Sequence, residues 1–370
     1  MSETDQGRAG PVSWTRVAII VACGAAASAL AFLLPSGPAV EAWYLAFVVG
    51  SGLAVGSLGV LMLGHILGEH WLDPVRSEAE AAARTVPLLA LFALPLSVRL
   101  PELYPWLADP DATGMSGLRQ AVLRPDMILL RSALYLAVWS ALAYWITGTR
   151  HPWRASAIGI ALLAVTATAA AGDWIMAREP RWQSGLFPWA YVLTQLLAAL
   201  AGGIFLSLLR GESPAGHRMV SLERALVTLM LLAIWTWFAQ FLIVWLANLP
   251  GEAAWYLRRS GSWLLALEAA LAALGLALVL LIPIGVGHRT MIAGSALGLL
   301  AYGLKMLWLL RPAAPEPALT FWDLLVPPGL AILWAAWFAA AHRRRPTFHS
   351  ERHGGEEALA PPLSSGRPKR

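Results

Sequence analysis

Apolar runs of about twenty residues recur along the chain, separated by short segments that hold most of its charges. A run of that length crosses the ~30 Å hydrocarbon core of a bilayer as a helix. Helices are the expected form, because backbone polar groups in lipid must find their partners within the segment. The pattern predicts ten spans, near residues 14–34, 43–64, 80–98, 127–147, 154–173, 188–209, 222–247, 262–284, 289–310 and 321–341. Pro87 and Pro95 in the third span, and Pro327 and Pro328 in the tenth, should kink or break their helices. Ser77 and Glu80 have capping-box spacing at the start of the third span, and Ser221 is a candidate cap for the seventh. Gly52 and Gly56 make a small-xxx-small face suited to close helix contact. The first run is too long for the apolar core of a signal peptide, so it is read as an uncleaved span.

The runs also repeat. EAWYLAFVVGSGLAVGSLGVLML (41–63) resembles FPWAYVLTQLLAALAGGIFLSLL (187–209), and SEAEAAARTVPLLALF (77–92) resembles SLERALVTLMLLAIWT (221–236). RASAIGIALLA (154–164) pairs less closely with RTMIAGSALGL (289–299). The offset is four spans, an even number, so the two units run parallel. The expected fold is therefore all-α and integral to the membrane, with two parallel-repeat four-helix bundles plus peripheral helices. The expected divisions are an N-terminus with peripheral span 1 (1–42), a first bundle (43–174) and an outer loop (175–187). A second bundle (188–310), a peripheral tenth span (311–342) and a basic tail (343–370) follow.

Composition agrees with that class: 58% of the residues are hydrophobic and 13% charged. Lys and Arg set the orientation, with seventeen on the side of the termini against eight on the other, so both termini are expected in the cytoplasm of a bacterial inner membrane. The net charge of +5 is concentrated in the tail, which is expected to be disordered and held near anionic lipid. It gives no reason to expect nucleic acid.

Cofactor chemistry has few ligands to draw on. The single cysteine, Cys23, cannot by itself form an internal disulfide or carry an iron–sulfur cluster. All eight histidines (His65, His70, His151, His217, His288, His342, His349 and His353) fall at or beyond the cytoplasmic edge, which leaves none for a haem inside the bilayer. His65 and His70 are five apart and lie on different helix faces, so no metal site is expected. Phosphate-loop and nucleophile-elbow signatures are missing from the sequence. The nineteen tryptophans read mainly as interfacial belt and packing residues.

The informative positions are the polar residues within or at the ends of spans. Arg131, Asp173, Glu268, Lys305 and Asp323 all fall in the outer half, where ionisable side chains must pair, face protein or reach water. They are candidates for a proton pathway or quinone site. Snorkelling to the interface, or helix capping at Asp173 and Asp323, is the simpler reading. A buried Glu268 would have the chemistry of a proton relay.

Several outer segments carry a resemblance. LYPW (103–106) with LRSALYLAVWSALAYWI (130–146), DWIMAREPRW (173–182) and WFAQFLIVWLANLPGEAAWYLRR (237–259) resemble the second polytopic membrane subunit of alternative complex III, a quinol:cytochrome c oxidoreductase. The resemblance covers roughly residues 43–341, and the last two spans match mainly in character. It implies two four-helix bundles of the polysulfide-reductase membrane-subunit type. The implied partners are a sister polytopic membrane subunit, an iron–sulfur protein and a multihaem c-type cytochrome. It also implies that Asp173, Glu179, Asn248, Glu252, Arg258 and Arg259 are family-motif positions at the outer face. Arg178 and Gln183 depart from the family's uncharged or aromatic residues.

The expected function is thus that of a non-catalytic respiratory subunit, supporting assembly and conceivably proton conduction. Iron–sulfur clusters and c haem would belong to its partners, and the chain would hold no redox cofactor of its own. A subunit that itself binds quinone is one alternative. An independent transporter is another, although transporter sites lie near the midplane, where this chain has almost no charge.

Overall fold

A computed structural model describes residue 22 and residues 37–68, 71–109, 115–149, 151–211, 216–248 and 250–343. Apart from residue 22, the first predicted span lies outside the described residues, as do Cys23, His70 and the tail beyond residue 343. Among the described residues nine helical segments are long and apolar enough to cross a membrane, and no strand is present. The protein is an all-α, multi-pass integral membrane protein.

The principal helices are α1 (Gly37–Leu67), α2 (Asp73–Ala83), α3 (Val86–Val98), α4 (Pro125–Gly148), α5 (Pro152–Trp174) and α6 (Phe187–Leu209). They continue with α7 (Gly216–Ala247), the short α8 (Pro250–Arg258), α9 (Leu264–Leu281), α10 (His288–Leu310) and α11 (Phe321–Arg343). Helices α2 and α3 make one span with a break at Arg84–Thr85. Pro87 causes it, since it has no N–H to offer the carbonyl of Ala83. Thr85 bonds back to Ala82 O at 2.6 Å, and Trp334 of α11 donates to the Thr85 hydroxyl at 2.9 Å. Elsewhere the outcome differs: Pro95 lies inside α3, and Pro327 and Pro328 lie inside a helix that runs on to Arg343 without a break.

Two starts differ from the sequence expectation. Helix α2 begins at Asp73 with Pro74 in its first turn, so Ser77 and Glu80 are interior. Ser77 donates to Glu78 at 2.8 Å and Glu80 accepts from Arg76 at 2.9 Å, and no capping box forms. Ser221 likewise lies inside α7, where its hydroxyl donates to His217 O at 3.0 Å. In both cases helix extends back into polar residues that a hydropathy boundary excludes.

The spans pack in two rings. Helix α1, the α2–α3 span, α4 and α5 each touch the next and close on α1, and α6, α7, α9 and α10 close in the same way. The rings meet along α1 and α6, and α11 packs on α1 and α2 from outside. Gly52, Gly56 and Gly59 explain the closeness of that seam. A Cβ at Gly52 would lie 2.0 Å from the Tyr302 hydroxyl, one at Gly56 2.3 Å from Gln195 O, and one at Gly59 2.6 Å from Leu196 Cδ2. Tyr302, from α10, fills the notch at Gly52 and donates to Val49 O at 2.9 Å.

Candidate functional site

The residues with unusual chemistry gather at the end of the bundle where α1, α6 and α11 begin and α5, α7 and α10 finish. The segment GDWIMAREPRWQ (172–183) runs through the middle of it. Helix α5 stops there, and a helix end leaves carbonyls without partners. Side chains from elsewhere satisfy two of them: Tyr44 of α1 donates to Trp174 O at 2.8 Å, and Tyr104 donates to Asp173 O at 2.9 Å. Trp106 adds a bond to Ala177 O at 2.7 Å, and Leu103 O accepts from Arg178 Nε at 3.1 Å. LYPW is therefore a clasp around the end of α5. Burial pushes the Tyr104 hydroxyl well above its ordinary range, against the opposing effect of Arg178, so it remains a neutral donor.

Three charges of the segment each meet a different part of the chain. Arg131 of α4 grips Asp173 through two bonds, Nε to Oδ2 at 2.7 Å and Nη2 to Oδ1 at 2.8 Å, and Tyr135 donates to Oδ2 at 2.8 Å. Arg178 lies buried against Glu41 of α1, bonding one carboxylate oxygen at 3.0 Å and the other through a shorter contact. Its guanidinium covers the Tyr44 ring 4.6 Å from the centroid. Glu179 takes Arg258 at 2.9 Å on one oxygen and Arg259 on the other. Burial removes solvent screening from such a pair but also strips each charge of its hydration, so the marked effect is the cost of losing one partner.

Arg259 extends the network into the second ring. It donates to Leu309 O at the end of α10 (2.9 and 3.2 Å) and to Trp255 O at 3.2 Å, and stacks on the Trp255 ring at 3.7 Å. Burial pushes the Arg259 guanidinium down, and the Glu179 carboxylate opposes that shift. Trp255 also stacks on Trp182 at 4.2 Å and meets Trp308 edge-on at 5.4 Å.

The other predicted residues divide. Asp323 sits near the start of α11, accepting from Thr320 N at 2.7 Å and from buried Arg311. It caps that helix, as its position near a helix end suggested. Asn248 terminates α7 with φ 47°, a left-handed conformation that Asn tolerates. Glu252 lies half-buried in the first turn of α8. Glu268 departs from the reading of a buried relay: it is exposed on the outward face of α9, away from the other candidates. Lys305 is buried in the second ring between Trp237 (4.4 Å) and Trp308 (4.0 Å). It lines a cavity of about 20 Å³ with Tyr191, Thr194, Gln240 and Trp255. The candidates thus form three ion-paired groups, one isolated cation and one outward carboxylate, rather than one cluster.

The sequence reading missed Glu41 and took Arg178 only as a departure. Glu41 opens a hydrophobic span, and a buried carboxylate there requires a buried cation. Arg178 supplies it from 137 residues away, a pairing that no local pattern in the sequence marks.

At the opposite end, His65 is fixed by two neighbours. Arg76, which can only donate, lies 3.1 Å from Nε2, so Nδ1 carries the hydrogen toward Ser156 Oγ at 2.9 Å. Buried Glu223 accepts from Gly285 N and Val286 N, both at 3.1 Å, and secures the turn before α10. Among the described residues no group of three His, Cys, Asp or Glu is placed to hold a metal.

Fold and site together define a multi-pass helical membrane protein whose polar residues at one end fasten its two rings. No known family model matches the sequence, and no curated protein matches it significantly.

Proposed function

We propose that this chain is a non-catalytic integral subunit of a bacterial respiratory quinol:electron-acceptor oxidoreductase. Its ion-paired end would face a c-type cytochrome and an iron–sulfur protein outside the cytoplasm, beside a sister membrane subunit. One observation carries the reading: the three segments that resemble the alternative complex III subunit interlock at a single end. LYPW holds the end of α5, Asp173 takes Arg131 from α4, and Glu179 takes the paired arginines that close the third segment. Separate stretches of resemblance that meet in one network at one end are what would hold a docking face in shape.

The way the charges are spent favours a scaffold over a catalyst. Asp173 accepts two guanidinium bonds and a phenol bond, and Glu41 is matched by Arg178. Such groups hold helices in place and have little freedom to pass protons. The cavity at Lys305, about 20 Å³, is far below the several hundred cubic ångströms of a small-molecule site, so it gives no support to quinone binding there.

Purification of the tagged protein from native membranes in several mild detergents, with haem spectra and subunit identification, tests the proposal. Co-purifying c haem and an iron–sulfur subunit are the expected result. A haem-free homo-oligomer in every detergent would overturn it and bring a transporter to the front.

A further inference from the structure

Buried arginines at the fastened end each meet a carboxylate: Arg178 on Glu41, Arg259 on Glu179, and Arg311 on Asp323. Lys305 breaks the rule. It is 8% exposed, and among the described residues its ammonium makes no ion pair or hydrogen bond. Two indole faces hold it, Trp237 at 4.4 Å and Trp308 at 4.0 Å. Cation–π contact favours the charged form but supplies no counter-charge. Arg259 stands beyond Trp255 in the same aromatic stack, which adds positive potential from that side.

The cavity beside Lys305 has a second peculiarity. Gln240, 6% exposed, has an amide nitrogen without an acceptor, and Tyr191, 4% exposed, turns its hydroxyl to the same space with Gln195 and Ser51 beside it. Thr194, also on the wall, is already engaged, accepting from Trp237 Nε1 at 2.9 Å and donating to Ala190 O at 2.6 Å. The remaining lining includes Phe187, Trp255, Met306 and Leu309. The Gln240 amide nitrogen, the Tyr191 hydroxyl and the Lys305 ammonium are all able to donate into this space. A buried donor left unmade is destabilising, so protein interiors hold few of them.

We infer that the Lys305–Gln240–Tyr191 cavity binds one small monovalent anion of halide size. Such an ion supplies the missing counter-charge and accepts from the surrounding donors. A water molecule would fit the volume, but it brings no negative charge to offset Lys305. About 20 Å³ leaves no room for a carboxylate, a sulfate or a quinone ring. The inference is independent of the assembly proposed above, because it concerns only the interior of the second ring.

The test uses the purified full chain in detergent, at fixed pH and ionic strength, with chloride or bromide exchanged for gluconate. The expected result is a thermal midpoint several degrees higher in either halide, saturating with concentration. Lys305→Met should lose that dependence while staying folded, because it removes an unpaired buried charge; Gln240→Leu should weaken it. Arg124→Gln, at an exposed pair with Asp126, should keep the full halide effect. Equal midpoints for the wild type in chloride and gluconate would overturn the site. So would a halide dependence that persists undiminished in both cavity variants.

Discussion

The two rings handle a positive charge in the membrane differently. In the first, Arg131 meets Asp173 through two parallel bonds, with Tyr135 completing the carboxylate. In the second, Lys305 meets indole faces and a cavity. The difference follows from the side chains available. A forked guanidinium and a carboxylate satisfy each other and hold α4 to α5. An ammonium over aromatic rings has directions left unfilled, and bulky indoles do not collapse into them. Pairing therefore fastens the first ring, whereas the second holds its cation beside a small cavity.

The largest expected effect comes from unpairing a cation in the first ring. Glu41→Gln leaves Arg178 buried against a neutral amide and should destabilise the protein by about 3–5 kcal/mol, seen as a large fall in the thermal midpoint. An unchanged midpoint would mean that Arg178 reaches water and that the contrast between the rings is overstated. Asp173→Asn should cost less, about 1.5–3 kcal/mol, because Arg131 is a quarter exposed and can turn toward the interface. Combining Arg131→Met with Asp173→Leu should recover most of that loss, since replacing both partners removes the unpaired charge. Failure to recover would show that the pair also fixes geometry. The smallest effect belongs to Arg258→Gln. Its side chain is 57% exposed and Arg259 still holds Glu179, so a change of about 0.5 kcal/mol or less is expected.

Hydropathy located the spans well, because a bilayer imposes length and apolar content on each segment independently. The nine predicted spans that fall within the described residues each correspond to a helical segment of the fold. Helix ends were less legible. Asp73–Ser77 and Gly216–Ser221 are polar enough to read as loop, and tertiary contact draws them into helix. The glycine face was readable because spacing alone defines it. Charge partners were not, since Glu41 and Arg178 are 137 residues apart and meet only through the fold. Glu268 shows the converse: a carboxylate in a span tells nothing about which way it points, and this one points outward.

The glycine seam between α1 and α6 has a mechanical consequence. A carrier that works by rocking one half against the other must part or slide its two halves along their shared face. Here Gly56 lies against the Gln195 carbonyl and Tyr302 is seated in the Gly52 notch, so a slide along the helix axis would bring side chains to positions that leave no space for a Cβ. The seam therefore resists relative sliding of the two rings.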